Sequence, residues 1–281
     1  MLSLGLALAS AALYGVSDFL GGLASRRASP WEVAVVTQMA AIALIGAASI
    51  VFAGNPTPAD VGWGALAGIG TGVGTAFLYR GLADGRMGVV APLSAVGAAL
   101  VPVVVGVATG DRPAPLTWIG IGCAVPAIWL VSAAAETTTD GRRARLGEGV
   151  VDGGIAGLGF GLMFAALGQV PDAAGLVPLA AAEITSIVAI VVLAVAMRQG
   201  WVPRSRFAWW GVVVGALAAG ATIAFLLATQ AGMLAVSAVL ASLYPVFTVL
   251  LAATLLRERV HGPQAIGLML AVVAIALVAI G

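Results

Sequence analysis

Leu240-Ala241-Ser242-Leu243-Tyr244-Pro245-Val246-Phe247-Thr248-Val249-Leu250-Leu251 is an apolar run with a proline inside it. Arg257-Glu258-Arg259 follows, and then Gln264-Ala265-Ile266-Gly267. The same order occurs earlier in the chain. Val101-Pro102-Val103 lies in an apolar run, Asp111-Arg112 comes after it, and Trp118-Ile119-Gly120 comes next. Further upstream, Gln38 matches Glu183, and Phe19 matches Phe164 at the same offset. The second half of the chain therefore repeats the first, and hydropathy tells what the repeated unit is.

Of 281 residues, 61% are hydrophobic and 9% are charged. A soluble domain carries about 25% charged residues, so only a bilayer can accommodate this much apolar side chain. A spanning helix needs roughly 20 mostly apolar residues, because the hydrocarbon core is about 30 Å thick and each residue rises about 1.5 Å. Ten such runs are present, over residues 3–24, 33–53, 62–82, 87–108, 115–135, 149–169, 174–197, 208–229, 233–256 and 263–280. Pro, Gly and polar residues separate them. The longest polar stretch lies mid-chain. The sequence thus predicts an all-α integral membrane protein of ten transmembrane helices: a five-helix unit over 1–135, a polar linker over 136–148, and a second unit over 149–281. Five is odd, so two similar units enter the bilayer in opposite orientations. Such inverted repeats are typical of secondary transporters, with a site near the midplane where the halves meet. The N-terminal run lacks a basic leader and contains Asp18, so it reads as a retained first span rather than a signal peptide.

Charge excludes several functions. The balance of 13 basic against 12 acidic residues argues against nucleic-acid or acidic partners. Every basic residue is Arg, and the single Cys123 can form no internal disulfide. Twelve of the arginines fall in the connections after the odd-numbered spans, and the opposite side holds only Arg112. Read by the positive-inside rule, this puts both termini outside.

These segments together resemble the EamA family of the drug/metabolite transporter superfamily. Leu13-Tyr14-Gly15-Val16-Ser17-Asp18-Phe19-Leu20-Gly21-Gly22 and the doubled Pro-Val, acid–Arg and Ile-Gly order carry the likeness, which extends over essentially the whole chain. The resemblance implies two inverted repeats around a central cavity open to one side at a time. It also implies export of small metabolites such as amino acids across the cell membrane. A lipid-carrier flippase is the alternative that some relatives suggest. The family often has an Arg in the second helix of each repeat, where this chain has Gln38 and Glu183. Its members are commonly drawn with both termini in the cytoplasm, against the charge count. The expected partners are a small-molecule substrate and the bilayer, with the protein a monomer or weak homodimer.

An acid inside a membrane span is costly and is a functional hypothesis by default. Glu183 lies mid-span. It reads as a proton carrier, as the partner of a substrate amine, or as a neutral acid bonded to Gln38, Gln169 or Thr185. Asp18 stands beside Tyr14, Gly15, Gly21 and Gly22, and reads as a proton or ammonium site or as an interfacial partner of Arg26 or Arg27. Tyr14, Asp18, Gln38, Tyr79, Glu183 and Tyr244 are the expected substrate contacts, with Asp18 and Glu183 as proton-coupling candidates. Arg80 and Asp84, four apart, read as a salt bridge, and Asp111-Arg112 and Glu258-Arg259 as helix caps. Pro102, Pro126, Pro178 and Pro245 fall inside spans, and the matched pair Pro102 and Pro245 are candidate hinges. Phe77, Phe225 and Phe247 join Tyr244 as aromatics of the cavity-lining helices or of the core. Gly64, Gly68 and Gly72, Gly157 and Gly161, and Gly211 and Gly215 recur every four residues, a pattern for close helix packing. With one His, in a loop, and no clustered ligands, neither a metal, nor a cofactor, nor an enzyme activity is expected.

Overall fold

The computed structural model describes residues 1–83, 87–133, 146–255 and 262–280, and every regular element among them is helical. The helices are α1 (Leu2–Ser25), α2 (Pro30–Val51), α3 (Pro58–Ala83), α4 (Met87–Thr109), α5 (Pro115–Ala133), α6 (Leu146–Leu167), α7 (Val177–Ala196), α8 (Gly211–Gln230), α9 (Leu234–Ala241), α10 (Tyr244–Leu255) and α11 (Gly262–Ile280). Asp84, Glu258-Arg259, His261 and linker residues 136–145 lie outside the described residues. Residues 146–148, expected in the linker, already belong to α6.

Proline and short polar side chains start these helices. Pro30, Pro58 and Pro115 open α2, α3 and α5, where the missing N–H would be unpaired anyway. Thr57 and Asp60 form a reciprocal cap on α3: the Asp60 carboxylate accepts from the Thr57 N–H and hydroxyl, both at 2.8 Å, and the Thr57 hydroxyl accepts from the Asp60 N–H at 3.3 Å. Pro178 is not inside a span as expected. A short 3₁₀ turn at Asp172–Ala174 delays the start of α7, which leaves Pro178 in its first turn. Helix α4 passes Pro102 without a break, whereas the ninth apolar run breaks at 242–243, just before Pro245. A proline there removes one backbone donor and crowds the carbonyl four residues back.

Among the described residues, seven apolar helical runs are long enough to cross a membrane, with 234–255 counted as one. Three further apolar stretches, 93–109, 115–130 and 265–278, are shorter. The chain is a multi-pass, all-helical membrane protein. Its polarity is that of a solute in lipid. Val104, Val192 and Val272 on the outside are each more than half exposed, while Gln38, Asp152 and Glu183 are buried.

Nearly all the packing is between the halves. Helix α3 lies along α7 and α6, α8 along α2 and α1, α4 against α6 and α9, α1 against α9 and α10, α2 against α7, and α5 against α11. Exchanging the two halves returns the same set of pairings. Glycine sets the closest ones. A Cβ on Gly64 or Gly68 would strike the backbone of Pro178 or Ala182 on α7, and one on Gly211 or Gly215 would strike Val33 or Thr37 on α2. Gly70 and Gly74 turn the other side of α3 onto Gly159 and Phe160 of α6. Both ends of α2 are tied to the second half as well. Leu176 N–H donates to the Phe52 carbonyl at 2.8 Å, and at the other end Ser205 N–H donates to the Glu32 carboxylate at 3.0 Å.

Candidate functional site

The crossings leave a cavity of about 620 Å³, its mouth included, at the centre of the bundle. Helix α1 presents Tyr14, Ser17 and Asp18 to it, α2 Thr37, Gln38 and Ala41, and α3 Thr71, Thr75, Leu78 and Tyr79. The second half supplies Phe160, Met163 and Phe164 from α6, Glu183 from α7, Ala218 and Thr222 from α8, and Tyr244 from the start of α10. The helices that contribute several residues, α1, α2, α3, α6 and α8, supply them at spacings of three or four, that of one helical face.

All six expected contacts line this one cavity. Gln38 and Glu183, the matched pair, meet: the Gln38 amide donates to Glu183 Oε2 at 2.9 Å and to the Ser186 hydroxyl at 2.6 Å. Of the three partners considered for Glu183, Gln38 is the one found. Gln169 donates to the Ala165 carbonyl of its own helix, and Thr185 to the Ala65 carbonyl of α3. Two residues in corresponding places can touch only near the axis that relates the halves, so this bond marks the centre of the pseudo-symmetry. Thr75 and Thr222 flank it in the same sense. Each lies two turns beyond the glycine (Gly68 or Gly215) that packs its helix on the opposite half.

Asp18 is different. Its carboxylate has no hydrogen bond or ion pair among the described residues. Neither arginine expected at the interface reaches it: Arg26 is exposed, and Arg27 stacks over the Phe207 ring at 5.4 Å. The chain's three tyrosines all line the same cavity. The Tyr14 hydroxyl shares a 2.8 Å bond with Thr222, and the Tyr244 hydroxyl lies 3.3 Å from that of Ser94. The glycines beside Asp18 serve close approach, and α1 is unbroken. A Cβ on Gly15 would meet the Tyr244 carbonyl and the Phe247 side chain.

The sequence reading left out Ser17, Thr37, Thr71, Thr75, Phe160, Met163, Phe164, Ala218 and Thr222. Thr71, Thr75 and Tyr79 recur every four residues on α3, a polar stripe in an apolar run that could have been found. In the second half Phe160, Met163, Phe164 and Ala218 are apolar residues in apolar runs and carry no such signal. Phe77, Phe225 and Phe247 do not line the cavity. Phe77 lies under Arg80 at 4.4 Å, and Phe225 packs on Phe164 at 4.3 Å between centroids. Arg80 pairs with buried Asp152 of α6 and donates to the Met197 sulfur. Asp111 caps as expected, accepting the Ala235 N–H of α9 at 2.8 Å, and Arg112 donates to the Val107 carbonyl at 3.1 Å. Among the described residues no cluster of His, Cys, Asp or Glu is arranged to hold a metal.

Sixteen chains of solved structures match this one, among them a protein of known crystal structure with a similar fold. It shares 16% sequence identity, superposes with a TM-score of 0.69, and the match covers 96% of this chain and 98% of that one. No curated protein matches the chain. The model of the EamA-like transporter family matches twice, over residues 1–133 and 151–280, one match to each half of the bundle. The chain belongs to the EamA-like transporter family and is a membrane transporter of the drug/metabolite type.

Proposed function

We propose that the protein carries a small amphipathic metabolite, an amino acid or a compound of similar size and polarity, outward across the cell membrane by alternating access. One observation carries this reading: polar side chains from both halves, distant in sequence, converge on one cavity inside an otherwise apolar bundle. Tyr14, Asp18, Gln38, Tyr79, Glu183 and Tyr244 contact the substrate. Ten spans as two inverted five-helix repeats, 1–135 and 149–281 joined by the linker 136–148, give the two halves equivalent conformations facing opposite sides. Pro245, at the break in the ninth run, is a hinge, and Pro102 is its counterpart in the continuous α4. Asp18 and Glu183 exchange protons with the solution when the cavity opens.

The test is uptake of labelled metabolites into liposomes holding purified protein, with and without a pH gradient, for wild type and Glu183→Gln. Gradient-stimulated uptake that Glu183→Gln abolishes, with gradient-free exchange retained, is the expected result. Uptake that ignores both the gradient and the substitution would make Glu183 a packing group bonded to Gln38. No uptake of any metabolite, with lipid-carrier movement instead, would replace this reading by a flippase.

A further inference from the structure

Resting on the transport reading above, and choosing within it against the amino acid, we propose that the substrate is an amine without a carboxylate: a small ammonium ion bearing an apolar group, held by Asp18. The charge of the lining narrows the class in this way. Among the described residues that face the cavity there are two acids, Asp18 and Glu183, and no Arg or His. Arg80, which follows the lining residue Tyr79 in α3, is committed to Asp152 and to the Phe77 ring. A zwitterionic amino acid would bring its carboxylate out of water beside two acids with no cation to receive it. A buried charge is tolerated only when paired and hydrogen-bonded, and that one would be neither.

The same walls suit an ammonium. Glu183 already accepts from Gln38, whereas Asp18 has both carboxylate oxygens available to a donor. The buried Thr37 hydroxyl, next to the Tyr79 hydroxyl, is a further polar group of the same lining. Tyr14, Tyr79 and Tyr244 line the same cavity as Asp18, and aromatic faces attract a desolvated cation. Phe160, Met163 and Phe164 of α6, the last two against Tyr14, form an apolar patch for the substituent. The cavity thus joins an unpaired acid and three tyrosines to an apolar patch supplied by α6.

Matched pairs that differ only by the carboxylate decide the matter: phenethylamine against phenylalanine, isoamylamine against leucine, and cadaverine against lysine. Each is tested for binding, as a shift in thermal unfolding of the purified protein, and for uptake in liposomes. The amine of at least one pair is expected to bind and move, with its amino acid weaker by about 10-fold or more, a difference of one good interaction. Asp18→Asn is expected to remove the amine response, and Asp18→Glu, which keeps the charge, to retain part of it. Amino acids that bind or move as well as their amines would overturn the proposal while leaving the transporter reading intact. Metabolites of other classes moving while no amine binds would do the same. A wild-type protein that neither binds nor moves any metabolite would refute both. If Asp18→Asn fails to fold, the wild-type pair comparison and Asp18→Glu still decide.

Discussion

Gly68→Leu yields no folded protein: after mild detergent extraction it elutes as aggregate, while Gly62→Leu on the same helix behaves as wild type. The contrast comes from what each side chain would meet. A Cβ at Gly68 lands on the Ala182 carbonyl oxygen and the Thr185 hydroxyl of α7, so backbone would have to move. A Cβ at Gly62 has nothing within 4 Å. Ordinary overpacking against side chains costs about 1–3 kcal/mol. Separating α3 from α7 costs more, on the order of the whole stability of a domain, about 5–15 kcal/mol. Both substitutions gain nearly 1 kcal/mol of helix propensity, so propensity cannot produce the difference. Size-exclusion chromatography with thermal unfolding reads it directly. Equal behaviour of the two variants would mean that α3 and α7 do not cross where described.

Asp152→Ala lowers stability by about 3 kcal/mol, the lower end of what removing one partner of a buried ion pair costs. The lower end applies because a quarter of the Arg80 side chain is still exposed, while Asp152 is almost wholly covered. The pair joins α3 of the first half to α6 of the second. The double variant Arg80→Met with Asp152→Leu recovers most of the loss, since apolar groups of similar size replace a buried pair at little cost. A double-mutant cycle on the unfolding midpoint measures the coupling. A coupling near zero would show that Arg80 reaches water and Asp152 does not hold it.

The helical, membrane-spanning character was legible because it depends on composition, which every stretch of the chain repeats. Asp18 and Glu183 were legible for a related reason: an isolated acid in an apolar run has no local explanation. The partner of Arg80 was not. Sequence spacing reports neighbours on one helix, so it named Asp84, which lies outside the described residues, and could not name Asp152, which reaches Arg80 only because α3 crosses α6. The α3–α6 crossing is set by Gly70 and Gly74, and glycine spacing announces close packing without naming the helix it packs on. The aromatics show the same limit. Phe77 and Phe164 look alike in sequence, yet one supports Arg80 and the other faces the cavity. The ninth run breaks before Pro245 while α4 continues through Pro102, a difference that the matched Pro-Val pairs did not announce.

The central claim is that the cavity between the halves opens to each side of the membrane in turn. A single cysteine at Thr75, in a Cys123→Ala background, tests it with a membrane-impermeant thiol reagent applied to right-side-out and to inside-out vesicles. Thr75 lines the cavity from α3 and is almost buried. The account predicts modification from both sides, slowed from both by a transported compound. Modification from neither side, or from one side only while transport proceeds, would contradict it.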